Sequence, residues 1–185
     1  MMEIARSGFD VPAPRHTGGY VRYLDLDGVL HPSTVFFECR RGPYLTHVEG
    51  HELFENAELL EQTLRPYPSL RLVLSTSWCF RYNGSIRRIA SRLPDGLKER
   101  VVGSTYHSRM LDKEAFARAS RGMQIWTDVV RRRPIDWLAV DDDHVAWPTW
   151  CLDRLVKTDD VLGISAPEVL SELRAKLAAM YARTT

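Results

Sequence analysis

The sequence has few cysteines and no long apolar run. Its 185 residues include three cysteines, Cys39, Cys79 and Cys151, which are far apart and form no CxxC pair. They suggest neither a disulfide framework nor a zinc site, and a reducing cytoplasm is the simplest expectation. No stretch approaches the roughly 18 apolar residues of a membrane span, and residues 1–16 lack the apolar core of a signal peptide. We therefore expect a cytoplasmic protein without a membrane partner.

The sequence also lacks an excess of either charge. It has 25 Lys and Arg residues against 24 Asp and Glu residues, a formal net charge of +1. This balance favours neither nucleic acid nor a membrane surface as a partner, so any such argument depends on local charge. The apolar fraction of 44% is ordinary for a globular protein, and the length fits one domain better than two. We predict a flexible lead-in over residues 1–18 and a single domain over 19–185.

Short apolar runs alternate with helical patterns. Four continuous apolar runs are typical of strands that are buried on both faces: 20–24, 70–74, 101–102 and 137–140. Helical spacing of apolar residues occurs in four segments: 53–64, 86–93, 122–130 and 165–180. The last helix is predicted to begin at a capping box formed by Ser165 and Glu168, with Pro167 in its first turn. Alternating strands and helices predict an α/β fold with a central, mainly parallel sheet.

Two carboxylates follow the first predicted strand. Strand alternation would place Asp25 and Asp27 on one side of its C-terminal end, and Gly28 would let the chain turn away. Ligands bind at this end of the strands in open α/β sheets. Two crowded carboxylates repel each other, and a bound Mg²⁺ ion, which prefers oxygen ligands, usually offsets this repulsion. Taken alone, the segment is equally well interpreted as a turn whose acids cap the backbone or face solvent.

A second acidic cluster follows another predicted strand. The run 137–140 leads into Asp141, Asp142 and Asp143, at what should be the same edge of the sheet. Three adjacent acids destabilise a fold by mutual repulsion unless a cation or a basic partner offsets them. Two independent acidic strand ends therefore favour a metal site, with Mg²⁺ as the cofactor.

Hydroxyl groups and a cation complete the predicted site. Ser75 and Thr76 follow the second predicted strand, where a hydroxyl can donate to a phosphoryl oxygen, although such residues also end many strands as turn formers. Ser120 is predicted to cap a helix, so that Arg121 in the first turn could reach a phosphate or an aspartate. Lys113, near another predicted helix start, is the alternative cation.

In this order the motifs resemble the haloacid dehalogenase (HAD) superfamily of aspartate-nucleophile phosphotransferases. The resemblance covers roughly residues 20–165, as follows: Asp25-Leu26-Asp27-Gly28-Val29 resembles the first motif, Ser75 the second, Arg121 the third, and Asp141 with Asp142 the fourth. Three runs are similar to a small bacterial group of HAD domains associated with RNA repair proteins: Leu-Ser-Thr-Ser-Trp at 74–78, Arg121-Gly122 and Val140-Asp141-Asp142-Asp143. The superfamily usually has Lys where this chain has Arg121.

The resemblance implies a Mg²⁺-dependent phosphatase that acts on phosphomonoesters. Asp25 would attack phosphorus and form an aspartyl-phosphate. Asp27 would protonate the leaving oxygen and then accept a proton from the attacking water. Ser75, Thr76 and Arg121 would hold the other phosphoryl oxygens.

The resemblance also implies a metal site and an architecture. Mg²⁺ would be bound by Asp25, by the backbone carbonyl of Asp27 and by Asp141 or Asp142. The fold would be a three-layer HAD-like Rossmannoid. It would be capless or carry only a short flap over residues 31–52, because the chain there is too short for a folded cap.

An open site would admit a large phosphorylated substrate, such as a nucleic-acid end or a phosphoprotein. Four arginines could line the approach, although such spacing is more often a solvated face: Arg81, Arg87, Arg88 and Arg92. His31 is interpreted as a polar flap residue rather than a substrate contact. Two alternative functions stay open: a noncatalytic binding protein that keeps the fold and metal site, and a phosphorylation-receiver domain, which would not need Asp27 as an acid.

Overall fold

The structure is built on a parallel β-sheet. A computed structural model describes residues 9 and 11–183. Its central strands are β1, Tyr20–Leu24; β4, Arg71–Leu74; β5, Val101–Ser104; β6, Asp136–Asp141; and β7, Leu155–Lys157. They lie in the order β5, β4, β1, β6, β7, and each neighbouring pair is parallel. Two further strands, β2 (Val35–Glu38) and β3 (Gly42–Leu45), form an antiparallel hairpin apart from this sheet.

Helices cover both faces of the sheet. Their bounds are α1, Ala57–Leu64; α2, Trp78–Arg81; α3, Ile86–Ala90; α4, Asp95–Lys98; α5, Lys113–Arg118; α6, Arg121–Arg132; and α7, Pro167–Ala182, with a 3₁₀ helix at Thr149–Arg154. Leu60 of α1 and Leu173 of α7 belong to the core on one face, whereas Ile125 of α6 belongs to the core on the other. The three-layer α/β Rossmannoid predicted from the sequence is therefore confirmed. Among the described residues, no helix has the length and apolar character needed to cross a membrane.

Side chains along β1 alternate between the two cores. Val21 and Tyr23 pack toward α6, and Leu24 packs on the opposite face. Arg22 is fully buried in the sheet between Leu72 and Leu138, its neighbours in register. Its three guanidinium nitrogens have no hydrogen-bond partner among the described residues, and burial lowers the pKa of Arg22 to about 9. This strand thus contains a charge that nothing in the described chain offsets.

The register of three strands determines where the site forms. Leu24 pairs with Leu74 of β4 and with Val140 of β6, so these strands end at the same level. Because the strands are parallel, the residues that follow them meet at one edge of the sheet. Asp25, Ser75 and Asp141 hold those positions, Asp141 being the last residue of β6.

The predicted start of the last helix is wrong by one residue. Ala166 is the N-cap and makes no side-chain cap, and the hydroxyl of Ser165 instead donates to the carbonyl of Leu162 (2.7 Å). Pro167 explains this, because proline suits the first helical position and forces the residue before it into an extended conformation. The predicted cap at Ser120 is confirmed, since its Oγ accepts from the N–H of Met123 (3.3 Å).

The hairpin β2–β3 lies within the range 31–52 that was predicted as a flap. Phe37 of the hairpin packs edge to face against Tyr82, with 5.7 Å between ring centroids. The predicted lead-in falls partly outside the described residues, at 1–8 and 10. Phe9, which is described, packs against Phe116 with ring centroids 5.2 Å apart.

Candidate active site

Asp25 lies at the centre of the candidate site, directly after β1. Its backbone N–H donates to the carbonyl of Val140 (3.1 Å), and its Oδ1 accepts from the backbone N–H of Leu26 (2.7 Å). Burial raises the pKa of Asp25 from its ordinary 3.8 to about 7; the charge of Arg121 opposes this rise and that of Asp27 adds to it. The Asp25 carboxylate is therefore difficult to ionise without a further cation.

Three carboxylates converge on one point. Asp25, Asp141 and Asp142 each offer an oxygen atom, and these atoms lie within 4.8 Å of one another. Asp141 is fully buried and Asp142 is half-buried, and burial raises the pKa of both. Gly28 has a φ of +66°, and a Cβ at this position would collide with the carboxylate of Asp142. A glycine is thus needed for the close approach of this acid to the strand end.

Arg121 is the cation that reaches these acids. It is the first residue of α6, and its Nη2 lies 3.5 Å from Oδ2 of Asp25 while its Nε lies 3.3 Å from Oδ2 of Asp141. Burial alone would lower the pKa of Arg121, but the charges of Asp25 and Asp141 raise it above its ordinary value. Lys113, the alternative cation, is exposed at the start of α5 and forms no ion pair among the described residues.

Ser75 and Thr76 lie beside Asp25, directly after β4. The backbone N–H of Ser75 donates to the carbonyl of Leu24 (2.8 Å), and both hydroxyl side chains are buried. The Oγ of Ser75 has no hydrogen-bond partner among the described residues, whereas Oγ1 of Thr76 accepts from the N–H of Trp78 (3.4 Å). The Ser75 hydroxyl is thus a free donor at the same sheet edge as the acids.

Asp27 has two strong contacts that the sequence did not indicate. Its Oδ1 accepts from Nε1 of Trp78 (2.7 Å) and lies 3.1 Å from Nε2 of His31. His31 is fully buried, so its interpretation as a polar flap residue is wrong. The position of His31 four residues after Asp27 was the available signal. Trp78 ends the Leu-Ser-Thr-Ser-Trp run that carries the family resemblance, but nothing in the sequence paired it with Asp27.

The comparison with protein families agrees with this geometry. The family model described as "HAD domain in Swiss Army Knife RNA repair proteins" matches residues 21–169. The chain belongs to this HAD family. The match includes every residue of the candidate site. No curated protein and no solved structure gives a significant match to the chain.

Membership of the HAD family bears on the chemistry of the site. HAD domains belong to a superfamily of hydrolases and phosphatases that generally uses Mg²⁺, and the cluster of Asp25, Asp141 and Asp142 offers the oxygen ligands that this ion prefers. The structure brings these acids together with Arg121 and Ser75. Asp27 lies beside them, with its side chain turned to Trp78 and His31.

Exposed arginines lie over aromatic rings of the β2–β3 hairpin and of the segment 78–82. We call this group the arginine surface, and it consists of Arg81, Arg88 and Arg92. The guanidinium groups lie at these distances from the ring centroids: Arg81 over Phe37, 5.4 Å; Arg88 over Tyr82, 4.8 Å; and Arg92 over Trp78, 5.8 Å. Trp78, which lies under Arg92, also donates to Asp27, so one buried ring connects Arg92 with the site.

Proposed function

We propose that this protein is a Mg²⁺-dependent phosphatase that hydrolyses a phosphomonoester through an aspartyl-phosphate on Asp25. The observation that carries the proposal is the convergence of Asp25, Asp141 and Asp142 within 4.8 Å, with Arg121 against two of them. Catalysis of phosphoryl transfer depends mainly on positioning and on offsetting charge, and this cluster offers both.

The residues fit a magnesium ion. Oδ2 of Asp141 is buried and forms no aligned hydrogen bond among the described residues, its 3.3 Å contact with Nε of Arg121 being an ion pair only. Gly28 leaves room for the carboxylate of Asp142. Burial makes these acids hard to ionise together, so a cation is needed to hold them charged. Asp25, Asp141, Asp142 and the backbone carbonyl of Asp27 would bind the ion. Bound there, Mg²⁺ would offset the negative charge that the nucleophile and the phosphate bring together.

The residues of this chain would act in two steps. In the first, an oxygen of Asp25 attacks phosphorus, the ester P–O bond breaks, and the leaving oxygen takes a proton from Asp27. In the second, a water oxygen attacks phosphorus and gives its proton to Asp27, and the P–O bond to Asp25 breaks. Ser75 and Arg121 would hold the remaining phosphoryl oxygens, with Thr76 beside them. The net reaction consumes one water and restores both carboxyl groups.

The arginine surface supports a large, polyanionic substrate. Asp27 would protonate the leaving group, so the rest of the substrate would extend on the side of Asp27, where Trp78 connects the site with Arg92 of the arginine surface. Exposed guanidinium groups beside aromatic rings suit the phosphates and bases of a polynucleotide. The description of the matching family, which refers to RNA repair proteins, points the same way. A phosphorylated RNA end is therefore the substrate that we propose.

Phosphate release with and without Mg²⁺ tests the proposal. The unmodified protein should hydrolyse p-nitrophenyl phosphate only with the metal, and Asp25→Asn should abolish turnover. Asp95→Asn, at an exposed aspartate of α4, is the matched control and should retain full activity. RNA oligonucleotides with a 5′- or 3′-phosphate, compared with phosphorylated metabolites, would identify the substrate class. Turnover in Asp25→Asn equal to that of the unmodified protein would overturn the proposed mechanism, and a protein inactive on every substrate would favour a noncatalytic binding role.

A further inference from the structure

The two carboxylate oxygens of Asp27 have different surroundings. Oδ1 accepts from Nε1 of Trp78 (2.7 Å) and lies 3.1 Å from Nε2 of His31. Among the residues that the structure describes, Oδ2 has one long contact, 3.5 Å from Oγ of Ser77. A carboxylate oxygen accepts through two lone pairs, so Oδ1 has both of its sites filled while Oδ2 keeps capacity.

The ring of His31 is itself held in one orientation. The backbone N–H of Phe54 donates to its Nδ1 (3.2 Å), so the ring proton is on Nε2 and is donated to Asp27. The ring is fully buried and packs edge to face on the Phe54 ring, with centroids 5.0 Å apart. Phe54 has a φ of +65°, a left-handed backbone that residues other than glycine rarely adopt. The chain thus holds an unfavourable conformation at the residue that orients His31.

We propose that His31 and Trp78 are positioning residues for Asp27: they occupy Oδ1 and leave Oδ2 as the oxygen that delivers and recovers the proton. This inference rests on the proposed function. In the first step the Oδ2–H bond breaks as the leaving oxygen gains the proton and the electrons of the breaking P–O bond. In the second step Oδ2 takes the proton of the attacking water. A buried histidine needs an acceptor for its ring N–H in any case, so the positioning role is tested by a readout that a merely structural histidine would not change.

Substitutions at His31 separate the contact with Asp27 from the contact with Phe54. In His31→Gln the amide NH₂ lies where Nε2 was and can still donate to Asp27. In His31→Asn the shorter side chain can still accept from Phe54 but does not reach Asp27. His51 offers a matched control, because it also pairs with an acid four residues away, Glu55, at 2.7 Å. His51→Asn should leave the kinetics unchanged.

The readout is the dependence of kcat/KM on the leaving group. Benzyl phosphate has a poor leaving group that needs a proton, whereas p-nitrophenyl phosphate, of similar size, has a good one. kcat/KM reports the reaction up to cleavage of the ester bond, so the later hydrolysis of the aspartyl-phosphate does not affect it. We expect His31→Asn to lower kcat/KM for benzyl phosphate by roughly 10- to 100-fold, part of what a general acid contributes, and to change the value for p-nitrophenyl phosphate by less than about threefold. His31→Gln should restore most of the loss.

Two further variants make each outcome decisive. Asp27→Asn should show the same dependence on the leaving group, with a larger loss of kcat/KM for benzyl phosphate. Trp78→Phe, which keeps the ring packing but removes the donor, should resemble His31→Asn. Suppose that Asp27→Asn is selective for the leaving group while His31→Asn and Trp78→Phe lower kcat/KM equally for both substrates. That result would overturn the positioning role and leave the proposed function standing. If Asp27→Asn shows no selectivity, or the unmodified protein hydrolyses neither substrate, the proposed function fails and the positioning role fails with it. Circular dichroism of each variant verifies that it is folded.

Discussion

Nε of Arg121 lies 3.3 Å from Oδ2 of Asp141, and Nη2 of the same guanidinium lies 3.5 Å from Oδ2 of Asp25. One cation from the start of α6 therefore connects acids at the C-terminal ends of two different strands. The planar group contacts both acids at once, which the point charge of a lysine ammonium does less well. Burial of all three side chains strengthens this attraction, because little solvent lies between the charges.

Loss of the Arg121 guanidinium should greatly reduce activity. We expect Arg121→Met to lower kcat by about 100- to 1000-fold, the effect of removing a donor that stabilises transition-state charge, and Arg121→Lys to retain part of the activity. Lys113→Met is the matched control, since Lys113 is exposed, and it should be as active as the unmodified protein. Steady-state phosphate release with saturating Mg²⁺ measures both. A greater loss in Lys113→Met than in Arg121→Met would show that the cation has been wrongly assigned.

The metal-free protein should lose stability as pH rises from about 4 to 7. In this window folded Asp25, with a pKa of about 7, keeps a proton that the unfolded chain, with the ordinary value of 3.8, has released. Because the folded state binds more protons there, the free energy of unfolding falls with rising pH, by on the order of a few kcal/mol. Asp25→Asn should not show this contribution, so the difference between the two proteins in urea denaturation isolates it. A constant difference across this range would contradict the prediction.

The raised pKa of Asp25 should also make stabilisation by Mg²⁺ depend on pH. Metal ligands must be deprotonated, so Mg²⁺ should raise Tm more at a pH above 7 than at a pH near 5. Thermal denaturation at several Mg²⁺ concentrations measures this dependence. In Asp25→Asn the Tm shift should be smaller at both values of pH. An equal shift in both proteins would exclude Asp25 as a ligand.

The meeting of the acids could be predicted because it follows from strand order and direction. Parallel strands in which Leu24 pairs with Val140 bring Asp25 and Asp141 to one edge, and the sequence shows both acidic strand ends. The contacts of Asp27 could not be predicted in this way. One contact depends on a turn that brings His31 back to Asp27. The other depends on the ring of Trp78, a residue that follows a different strand, β4. Neither produces a periodic pattern in the sequence.

Short or polar elements were missed for related reasons. β7 has three residues, which is too few for a recognisable apolar run, and the exposed alternation of the β2–β3 hairpin was assigned only as a flap. Arg22 shows the opposite limit, because a charge inside the apolar run 20–24 gives no hint that its side chain is fully buried. Burial of this kind depends on the helices that cover the sheet, which local sequence does not reveal.

Gly28→Ala should impair both folding and metal binding. The left-handed backbone at this position costs a residue with a Cβ about 1–2 kcal/mol, and the new Cβ would also displace the carboxylate of Asp142. Gly18→Ala is the matched control, since Gly18 has a φ of +69° but open space around its Cβ position. We expect both variants to lower the free energy of unfolding, and Gly28→Ala alone to weaken Mg²⁺ affinity in calorimetric titration. Equal affinities would show that Asp142 is not a ligand.

Arg22→Met should stabilise the protein. The buried guanidinium has no partner among the described residues, and an apolar side chain of similar length removes an uncompensated charge while it keeps the packing between Leu72 and Leu138. Replacing buried charges by apolar groups stabilises proteins by about 1–4 kcal/mol in favourable cases. Urea denaturation of the metal-free protein gives the change in the free energy of unfolding. A clear loss of stability would contradict the prediction.

The arginine surface should raise kcat/KM for phosphorylated RNA ends but not for small phosphomonoesters. We expect Arg81→Gln and Arg88→Gln each to lower kcat/KM for a phosphorylated RNA oligonucleotide and to leave kcat/KM for p-nitrophenyl phosphate unchanged, because these side chains lie over Phe37 and Tyr82 and not against the acids of the site. Each lost phosphate contact should reduce the slope of log kcat/KM against log salt by about 0.7, the value for single strands. Arg118→Gln, at an exposed arginine of α5 that pairs with Glu114, is the matched control. If all three variants respond alike to salt, net charge rather than this surface attracts the substrate.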